Sequence, residues 1–324
     1  MKLAMKTLIK GLLSSVLAAG VAGGAFAQER IAIGTASTGS NPYVVGSVMA
    51  KVMTENSDLE VGIQSTGGYN ENLGLVSSGQ MDVAFNFIPQ LLDARAQTGK
   101  FETAQGTEMF KNLQLLFPVY LATYHYIVRQ DSGITTFEEL QGHRFNINVP
   151  STATHGINMK LIAALGYTPD DFKIVNLTGK DTYNALRNRL TDASGTSIAI
   201  GGGKLLELAA SVPVELLEVS DEAYEKLNVA FNNTLVRTTI PANTYSGQEH
   251  AVRTFSIPTA LFTRADVDEE TVYQFTKAYW DHWDEMTPDA RTLKDVDAEL
   301  AASFSKIQMH TGAQRYFRER GLID

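Results

Sequence analysis

The stretch Ile31-Ala-Ile-Gly-Thr-Ala-Ser-Thr-Gly-Ser-Asn-Pro-Tyr43 joins a short apolar strand to a helix through a run of small and hydroxyl-bearing residues. Pro42 suits the first turn of a helix, because its missing N–H would be unpaired there anyway. Valines and methionines between Val44 and Met53 then recur at helical spacing, which predicts one buried helix face. A unit of this kind leaves backbone N–H groups at the helix N-terminus available to an anionic ligand group.

Two further units of strand, hydroxyl loop and helix follow in the sequence. One runs from Val61 through Thr66-Gly67-Gly68 into a helix that stops at Gly79, and the other runs from Phe145 through the loop 150–156 into a helix closed by Gly166. Strands that alternate with helices predict an α/β fold with parallel sheets. Since ligands bind at the carboxyl ends of such strands, the three loops predict one ligand cleft.

The N-terminus has the pattern of a secretory signal peptide. Lys2, Lys6 and Lys10 precede the apolar run 12–21, and Ala25-Phe26-Ala27 is a cleavage signal. A transmembrane anchor is the alternative, but this run is shorter than the roughly 20 apolar residues that span a bilayer. We therefore predict that residues 1–27 are removed and that the mature chain is free and soluble in the periplasm.

Composition limits the classes of function. The net charge is −9 and no basic stripe stands out, so we predict no nucleic-acid partner. The absence of cysteine excludes disulfides, thiolate catalysis and Cys-ligated zinc. The length of the mature chain allows two cores. We predict two lobes, one made of residues 28–121 and 255–324 and the other of residues 122–254.

Sequence signatures of enzymes are missing. No G-x-S-x-G or H-E-x-x-H motif occurs, and Gly201-Gly202-Gly203-Lys204 is followed by Leu205 rather than by the Ser or Thr of a P-loop. We predict no catalytic residue, no metal site and no cofactor. His155 lies at a helix start, where it either contacts a ligand or supports the local cap. Tyr43, Tyr69 and Tyr126 either line a cleft or belong to the core.

Several motifs resemble the TAXI family of substrate-binding proteins, which serve TRAP (tripartite ATP-independent periplasmic) transporters. They are Gly34-x-x-Ser37-Thr-Gly-x-x-x-Tyr43, Ser65-Thr-Gly-Gly-x-x-Glu71-Asn, Ser78-Gly-Gln-Met-Asp-Val-Ala84, Gln130-Asp-Ser-Gly-Ile134 and Ile240-Pro-Ala-Asn-Thr-Tyr-x-Gly-Gln248. The resemblance implies a two-lobe periplasmic binding protein of the type II, Venus-flytrap kind. It also implies a monomer that binds a small organic anion, a dicarboxylate or an amino acid such as glutamate, and delivers it to the TRAP membrane permease subunits.

The resemblance also implies ligand-binding positions in the three loops. To these we add three further candidates: Asn72 in the second predicted helix, Gln90 in a loop at the end of a predicted strand, and His155 in the third loop. The complete set is Thr38, Gly39, Ser40, Tyr43, Thr66, Gly67, Gly68, Asn72, Gln90, Ser151, Thr152, Thr154 and His155. The partner of a second carboxylate stays open among six basic residues that could equally face solvent, which are Arg129, Arg144, Lys180, Lys204, Arg237 and Arg253.

Three other functions stay open on the sequence. An exported enzyme acting on a small carboxylate would turn over its ligand. A sensory protein that presents a ligand to a membrane kinase would give a signalling phenotype with normal uptake on deletion. A secreted, antigen-like binding protein would have no transporter genes beside its own.

Overall fold

The computed structural model describes residues 29–104 and 108–324. The predicted signal peptide, residues 1–27, lies outside them. No helix in the described part is both long enough and apolar enough to cross a bilayer.

Ten strands of the described residues bond into one sheet. They are β1 (Glu29–Gly34), β2 (Leu59–Gln64), β3 (Val83–Phe87), β4 (Leu113–Arg129), β5 (Arg144–Asn146), β6 (Lys173–Val175), β7 (Ala193–Ile198), β8 (Val214–Leu216), β9 (Val236–Ile240) and β10 (Val252–Arg264).

Eleven α-helices of the described residues pack against this sheet and each other. They are α1 (Asn41–Asn56), α2 (Tyr69–Ser77), α3 (Ile88–Ala96), α4 (Ala153–Ala164), α5 (Lys180–Arg187), α6 (Gly203–Ser211), α7 (Asp221–Ala230), α8 (Glu269–Asp281), α9 (Trp283–Met286), α10 (Ala298–Ser303) and α11 (Thr311–Glu319). Short 3₁₀ helices occur at Gly99–Ala104, Gln130–Ser132, Pro169–Asp171, Arg291–Asp295 and Phe304–Lys306.

The sheet contains the same parallel unit twice. The main path has the order β2-β1-β3-β10-β4-β7-β5-β6, so the first strand of each unit, β1 or β5, lies between the two strands that follow it in the chain. Both units are parallel, as the sequence pattern predicts. The parallel prediction is wrong for the middle of the sheet, where β4 and β10 pair antiparallel to each other and to their neighbours. The reason is that β4 runs from the first unit to the second and β10 returns.

Helix α1 shows how the sequence positions the site. Pro42 lies in its first turn, and its buried face carries Val45, Met49 and Met53. Val44, on the neighbouring stripe, is 44% exposed. Packing of that face against the sheet directs the N-terminus of α1 toward the carboxyl end of β1.

The buried side chains form separate cores. One core draws on residues 31–120 and 260–317, and two others draw on residues 124–257 together with Phe87. We call lobe 1 the part built on β1–β3 with α1–α3 and α8–α11, and lobe 2 the part built on β5–β9 with α4–α7. The α/β fold of two lobes predicted from the sequence is confirmed, whereas the residue boundaries given above stay a prediction because β4 and β10 take part in both lobes.

Candidate functional site

A cavity of about 630 Å³ lies between the lobes, where strands β1, β2, β5 and β7 end. The strands β4 and β10 that cross between the lobes pair beside it, and β4 contributes three residues of the wall. We call this space the main cavity. It is lined by Ala36, Ser40, Asn41, Pro42, Gly68, Tyr69, Phe87, Tyr120, Leu121, Ala122, Thr152, Ala153, Thr154, Tyr183, Ser197, Ile198, Ala199, Gly202, Gly203, Lys204 and Leu205.

Helix N-termini of both lobes border the main cavity. Lobe 1 contributes those of α1 and α2 and the N-cap of α3, Phe87, and lobe 2 contributes those of α4 and α6. Thr152 caps α4 by accepting a hydrogen bond of 3.2 Å from the backbone N–H of His155. The cap residues of α1 and α6, Ser40 and Gly202, make no side-chain cap bond. Their first-turn N–H groups and the positive ends of the helix dipoles favour a negative group in the cavity.

The loop ahead of α2 differs because side chains of the protein itself already accept two of its N–H groups. The Glu71 carboxylate accepts from the backbone N–H of Gly67, and Thr66 Oγ1 accepts from the N–H of Gly68 at 3.1 Å. The second loop therefore offers a ligand fewer unpaired donors than its Gly-rich sequence suggests. These bonds use N–H groups ahead of α2 and none of its first turn, so the dipole of α2 remains directed at the main cavity together with those of α1, α4 and α6.

Aromatic side chains form much of the wall. The hydroxyls of Tyr69 and Tyr120 share a hydrogen bond of 2.8 Å, and the Tyr69 ring meets Phe87 edge to face at 4.8 Å. Burial raises the pKa of Tyr69 to about 12 and that of Tyr120 well above its ordinary value. Both phenols are therefore neutral at physiological pH, and they present an apolar surface with a single shared polar edge.

Tyr124 lies behind this wall. It is fully buried, and its hydroxyl has no hydrogen bond of ordinary geometry among the described residues. Two cavity-lining hydroxyl residues, Thr154 and Ser197, are its polar neighbours, and burial raises the pKa of Tyr124 above its ordinary value. Tyr124 therefore supports the cavity-lining residues Thr154 and Ser197 from behind and does not line the cavity itself.

Lys204, in the first turn of α6, is the only charged side chain in the lining given above. The four arginines considered for a second carboxylate are engaged elsewhere: Arg129 with Asp131, Arg144 with Asp192, Arg237 with Asp221, and Arg253 with Glu218 and Asp221. Lys180 is exposed at the start of α5 and lines neither of the two cavities described here.

A second cavity of about 440 Å³ adjoins the main one and shares Phe87, Thr152 and Ala153 with it. Its charged wall residues are Asp93 and Lys100 from lobe 1 and Lys160 from lobe 2. The Lys160 ammonium lies 3.6 Å from the Asp93 carboxylate and 4.3 Å from the centre of the Phe231 ring. Polar contacts between the lobes therefore border this second cavity.

The structure brings seven of the predicted ligand-binding residues to the two cavities. Ser40, Gly68, Thr152 and Thr154 line the main cavity, and Gln90, Ser151, Thr152 and His155 line the second one. The other six line neither cavity. Thr38 and Gly39 are exposed at the tip of the first loop, Tyr43 and Thr66 are half-buried, Gly67 is exposed, and Asn72 is fully buried. No group of three or more His, Asp or Glu in the described part is placed to hold a metal ion.

Two parts of the main cavity were not predicted. Tyr120 and its neighbours on β4 line it because the crossing strand passes the gap between the lobes, and only the strand order reveals this. The segment 197–205 lines it as a fourth unit of strand, loop and helix. The Gly-rich run Gly201-Gly202-Gly203 after an extended stretch was the available signal.

Of the three tyrosines considered for the cleft, Tyr69 lines it, whereas Tyr126 is 1% exposed in the lobe 2 core.

Solved structures resemble the chain in fold at low sequence identity. A protein of Bordetella bronchiseptica RB50 is 14% identical with a TM-score of 0.51, over 90% of this chain and 98% of that one. A Xanthomonas citri protein bound to ATP is 12% identical with a TM-score of 0.50, over 90% and 98% of the two chains. The periplasmic aliphatic sulphonate binding protein SsuA from Escherichia coli is 13% identical with a TM-score of 0.49, over 91% and 94%.

A family model covers far more of the sequence than any single motif does. The model of the NMT1-like family matches residues 33–321, which include both lobes and every segment that lines the main cavity. The chain therefore belongs to the NMT1-like family.

Proposed function

We propose that this protein is an extracytoplasmic solute receptor that holds a small organic anion in the main cavity and delivers it to a membrane transporter. The observation that carries the proposal is the convergence of helix N-termini from both lobes on one space that also contains Lys204. Each dipole contributes about 0.3–1 kcal/mol to binding of a negative group, and more where the group is partly buried. A micromolar dissociation constant corresponds to a binding free energy of about −8 kcal/mol, and several charge-assisted hydrogen bonds suffice for it.

The proposed transporter is of the TRAP type. Support comes from the motifs shared with the TAXI family, which lie between Gly34 and Gln248. The N-terminal leader pattern supports a periplasmic location and the removal of residues 1–27. We propose binding without catalysis and a monomeric receptor.

The proposed mechanism is closure of the lobes on the ligand. Residues 28–121 with 255–324 would move against residues 122–254, with β4 and β10 as the connections. Closure would remove water from the ligand and strengthen its hydrogen bonds. In this scheme Ser40, Gly68, Thr152 and Thr154 contact the ligand, whereas Gln90, Ser151 and His155 face the second cavity.

The proposal is tested by thermal unfolding of purified residues 28–324 with a panel of organic acids, sulfonates and amino acids. A ligand at 100 times its dissociation constant stabilises the fold by about 3 kcal/mol, which raises the melting temperature by several degrees. The variant Ala122→Trp fills the main cavity and is expected to lose the shift. The control Ala210→Trp, at an exposed position of α6, is expected to retain it.

Two results would oppose the proposal. Absence of stabilisation by every anion in the panel removes its basis. If product analysis shows that the protein converts a stabilising ligand chemically, the result favours an exported enzyme instead.

A further inference from the structure

The charge of the main cavity is carried by one side chain. Lys204 is the only ionised group in a lining of 21 residues, and no ion pair joins its ammonium to a carboxylate in the described part of the chain. A carboxylate removed from water is costly unless a partner of opposite charge or several donors replace the water. Lys204 is exposed, so the cavity supplies one full positive charge at a solvent-accessible position, together with the partial charges of the helix N-termini.

The rest of the lining carries no second full positive charge, and only helix N-termini could meet another anionic group. Twelve of its residues are aromatic, aliphatic or proline, which are Ala36, Pro42, Tyr69, Phe87, Tyr120, Leu121, Ala122, Ala153, Tyr183, Ile198, Ala199 and Leu205. The hydroxyls of Tyr69 and Tyr120 bond to each other, so part of their capacity is already used. The N–H groups ahead of α2 are also used, because Glu71 and Thr66 accept them.

The size of the cavity points the same way. Its volume of about 630 Å³ equals that of roughly 20 liquid water molecules at about 30 Å³ each. In the present arrangement of the lobes, a short dicarboxylate would leave water beside aromatic and aliphatic walls. A ligand with a ring or a branched chain would displace that water and gain the free energy of apolar contact.

We propose that the main cavity selects an organic monoanion with an aromatic or branched apolar body, whose single carboxylate or sulfonate pairs with Lys204, over dicarboxylates and glutamate. The inference rests on the proposed function, since it names the ligand class of the same site. Lys204 is then the residue that determines the charge of the ligand. Lys204 lies in the first turn of α6, so an anion paired with it would also be close to the N-terminal end of that helix dipole.

The test is calorimetric titration of purified residues 28–324 with 3-phenylpropionate, benzenesulfonate, glutarate and glutamate. We expect the tighter of the two monoanions to bind at least tenfold more tightly than either dicarboxylate. Lys204→Gln is expected to weaken that monoanion about tenfold or more, because a charge-assisted hydrogen bond is lost. Lys204→Arg keeps the charge and is expected to retain most of the affinity.

Lys180→Gln is the matched control. Lys180 also lies in the first turn of a lobe 2 helix, is exposed, and lines neither cavity, so the same loss of charge is expected to leave affinity unchanged. Tighter binding of glutarate or glutamate overturns the selection and leaves the proposed function standing. Unchanged monoanion affinity in Lys204→Gln overturns the role of Lys204. Binding of no anion, here or in the wider thermal panel, overturns the proposed function and this inference together.

Discussion

His125 has a defined tautomer because of the groups around it. Its Nδ1 lies 3.1 Å from the carbonyl oxygen of Thr123, which only accepts, so Nδ1 carries the proton. Its Nε2, 3.0 Å from the Tyr245 hydroxyl, therefore accepts from that hydroxyl, and the Tyr245 oxygen accepts from the N–H of Gly201 at 2.9 Å. A second proton on His125 would remove the acceptor of the Tyr245 O–H, which would have to turn away from Nε2. This chain of hydrogen bonds ends in the loop that leads to α6 and Lys204.

The burial of His125 predicts a loss of stability in mild acid. Burial lowers the pKa of His125 to about 4 from its ordinary value of 6.5. Between pH 6.5 and 4 the imidazole of His125 is protonated in the unfolded chain but not in the folded chain. The free energy of unfolding is therefore highest above pH 6.5 and decreases as the pH falls toward 4. We expect wild type to lose up to about 3 kcal/mol more than His125→Gln over this range, measured by urea unfolding at each pH.

The comparison with His125→Gln isolates the histidine from the carboxylates, which titrate in both proteins. Parallel stability curves for the two proteins between pH 6.5 and 4 would show that protonation of His125 does not contribute.

At the scale of elements, one asparagine holds the loops of lobe 1 together. Asn72 on α2 donates to the carbonyl oxygens of Thr35 after β1 and Phe85 in β3, each at 2.8 Å, and accepts from Thr66 Oγ1 at 2.7 Å. Lobe 2 uses the same device, since Asn158 on α4 donates to the carbonyl oxygens of Ile147 and Gly195. Asn72 therefore acts on the site through the loops that it joins, without lining either cavity.

The variant Asn72→Asp tests this connection at constant side-chain volume. A carboxylate cannot donate to the two carbonyl oxygens and is itself buried, so we expect a loss of about 3 kcal/mol or more in the free energy of unfolding. The measurement is equilibrium unfolding in urea. The control Asn188→Asp changes an exposed asparagine after α5 and is expected to alter stability by less than about 0.5 kcal/mol.

Similar losses in Asn72→Asp and Asn188→Asp would mean that the three bonds of Asn72 are not needed to hold the loops. The hydrogen exchange of residues 65–68 gives an independent readout, because these amides are expected to exchange faster only in the Asn72 variant.

At the scale of the whole molecule, polar contacts connect the lobes at the second cavity. Asp93 on α3 lies 3.6 Å from the Lys160 ammonium of α4 and accepts a bond of 3.4 Å from the side-chain amide of Asn232. Lys160 also donates to the carbonyl oxygen of Ala230, which fixes it within lobe 2. Both contacts of Asp93 require the lobes to be close, so they favour the closed arrangement without touching a ligand in the main cavity.

Removal of the Asp93 charge is expected to shift the lobes apart. Asp93 and Lys160 are 27% and 38% exposed, so the pair is worth at most about 1 kcal/mol, or up to fivefold in the ratio of closed to open molecules. Because the chain contains no cysteine, Glu55→Cys in lobe 1 and Glu225→Cys in lobe 2 allow specific labelling for energy transfer between single dyes. We expect Asp93→Asn to increase the population with the longer distance.

The control for this measurement is Glu222→Gln, which breaks an ion pair with Lys226. Both residues belong to α7, so the substitution alters no contact between the lobes. An unchanged distance distribution in Asp93→Asn would show that these contacts do not bias closure.

The sequence by itself determined the local units of this protein. Apolar alternation marked β1, and Pro42 with the valines and methionines after it marked α1, because strands and first helical turns obey short-range rules of spacing and backbone geometry. The hydroxyl loops identified the edge of the sheet where the cavity lies, and Ser40 and Thr154 were found in this way.

Only the tertiary structure decided which basic residue faces the main cavity. Arg144 and Arg129 looked as suitable as Lys204 in the sequence, but Arg144 is held by Asp192, 48 positions away, and Arg129 donates to the carbonyl oxygen of Thr191 across β4 and β7. Likewise Tyr120 reaches the cavity because β4 crosses between the lobes. Such contacts depend on which strands become neighbours, and that is set by packing of the whole chain rather than by local spacing.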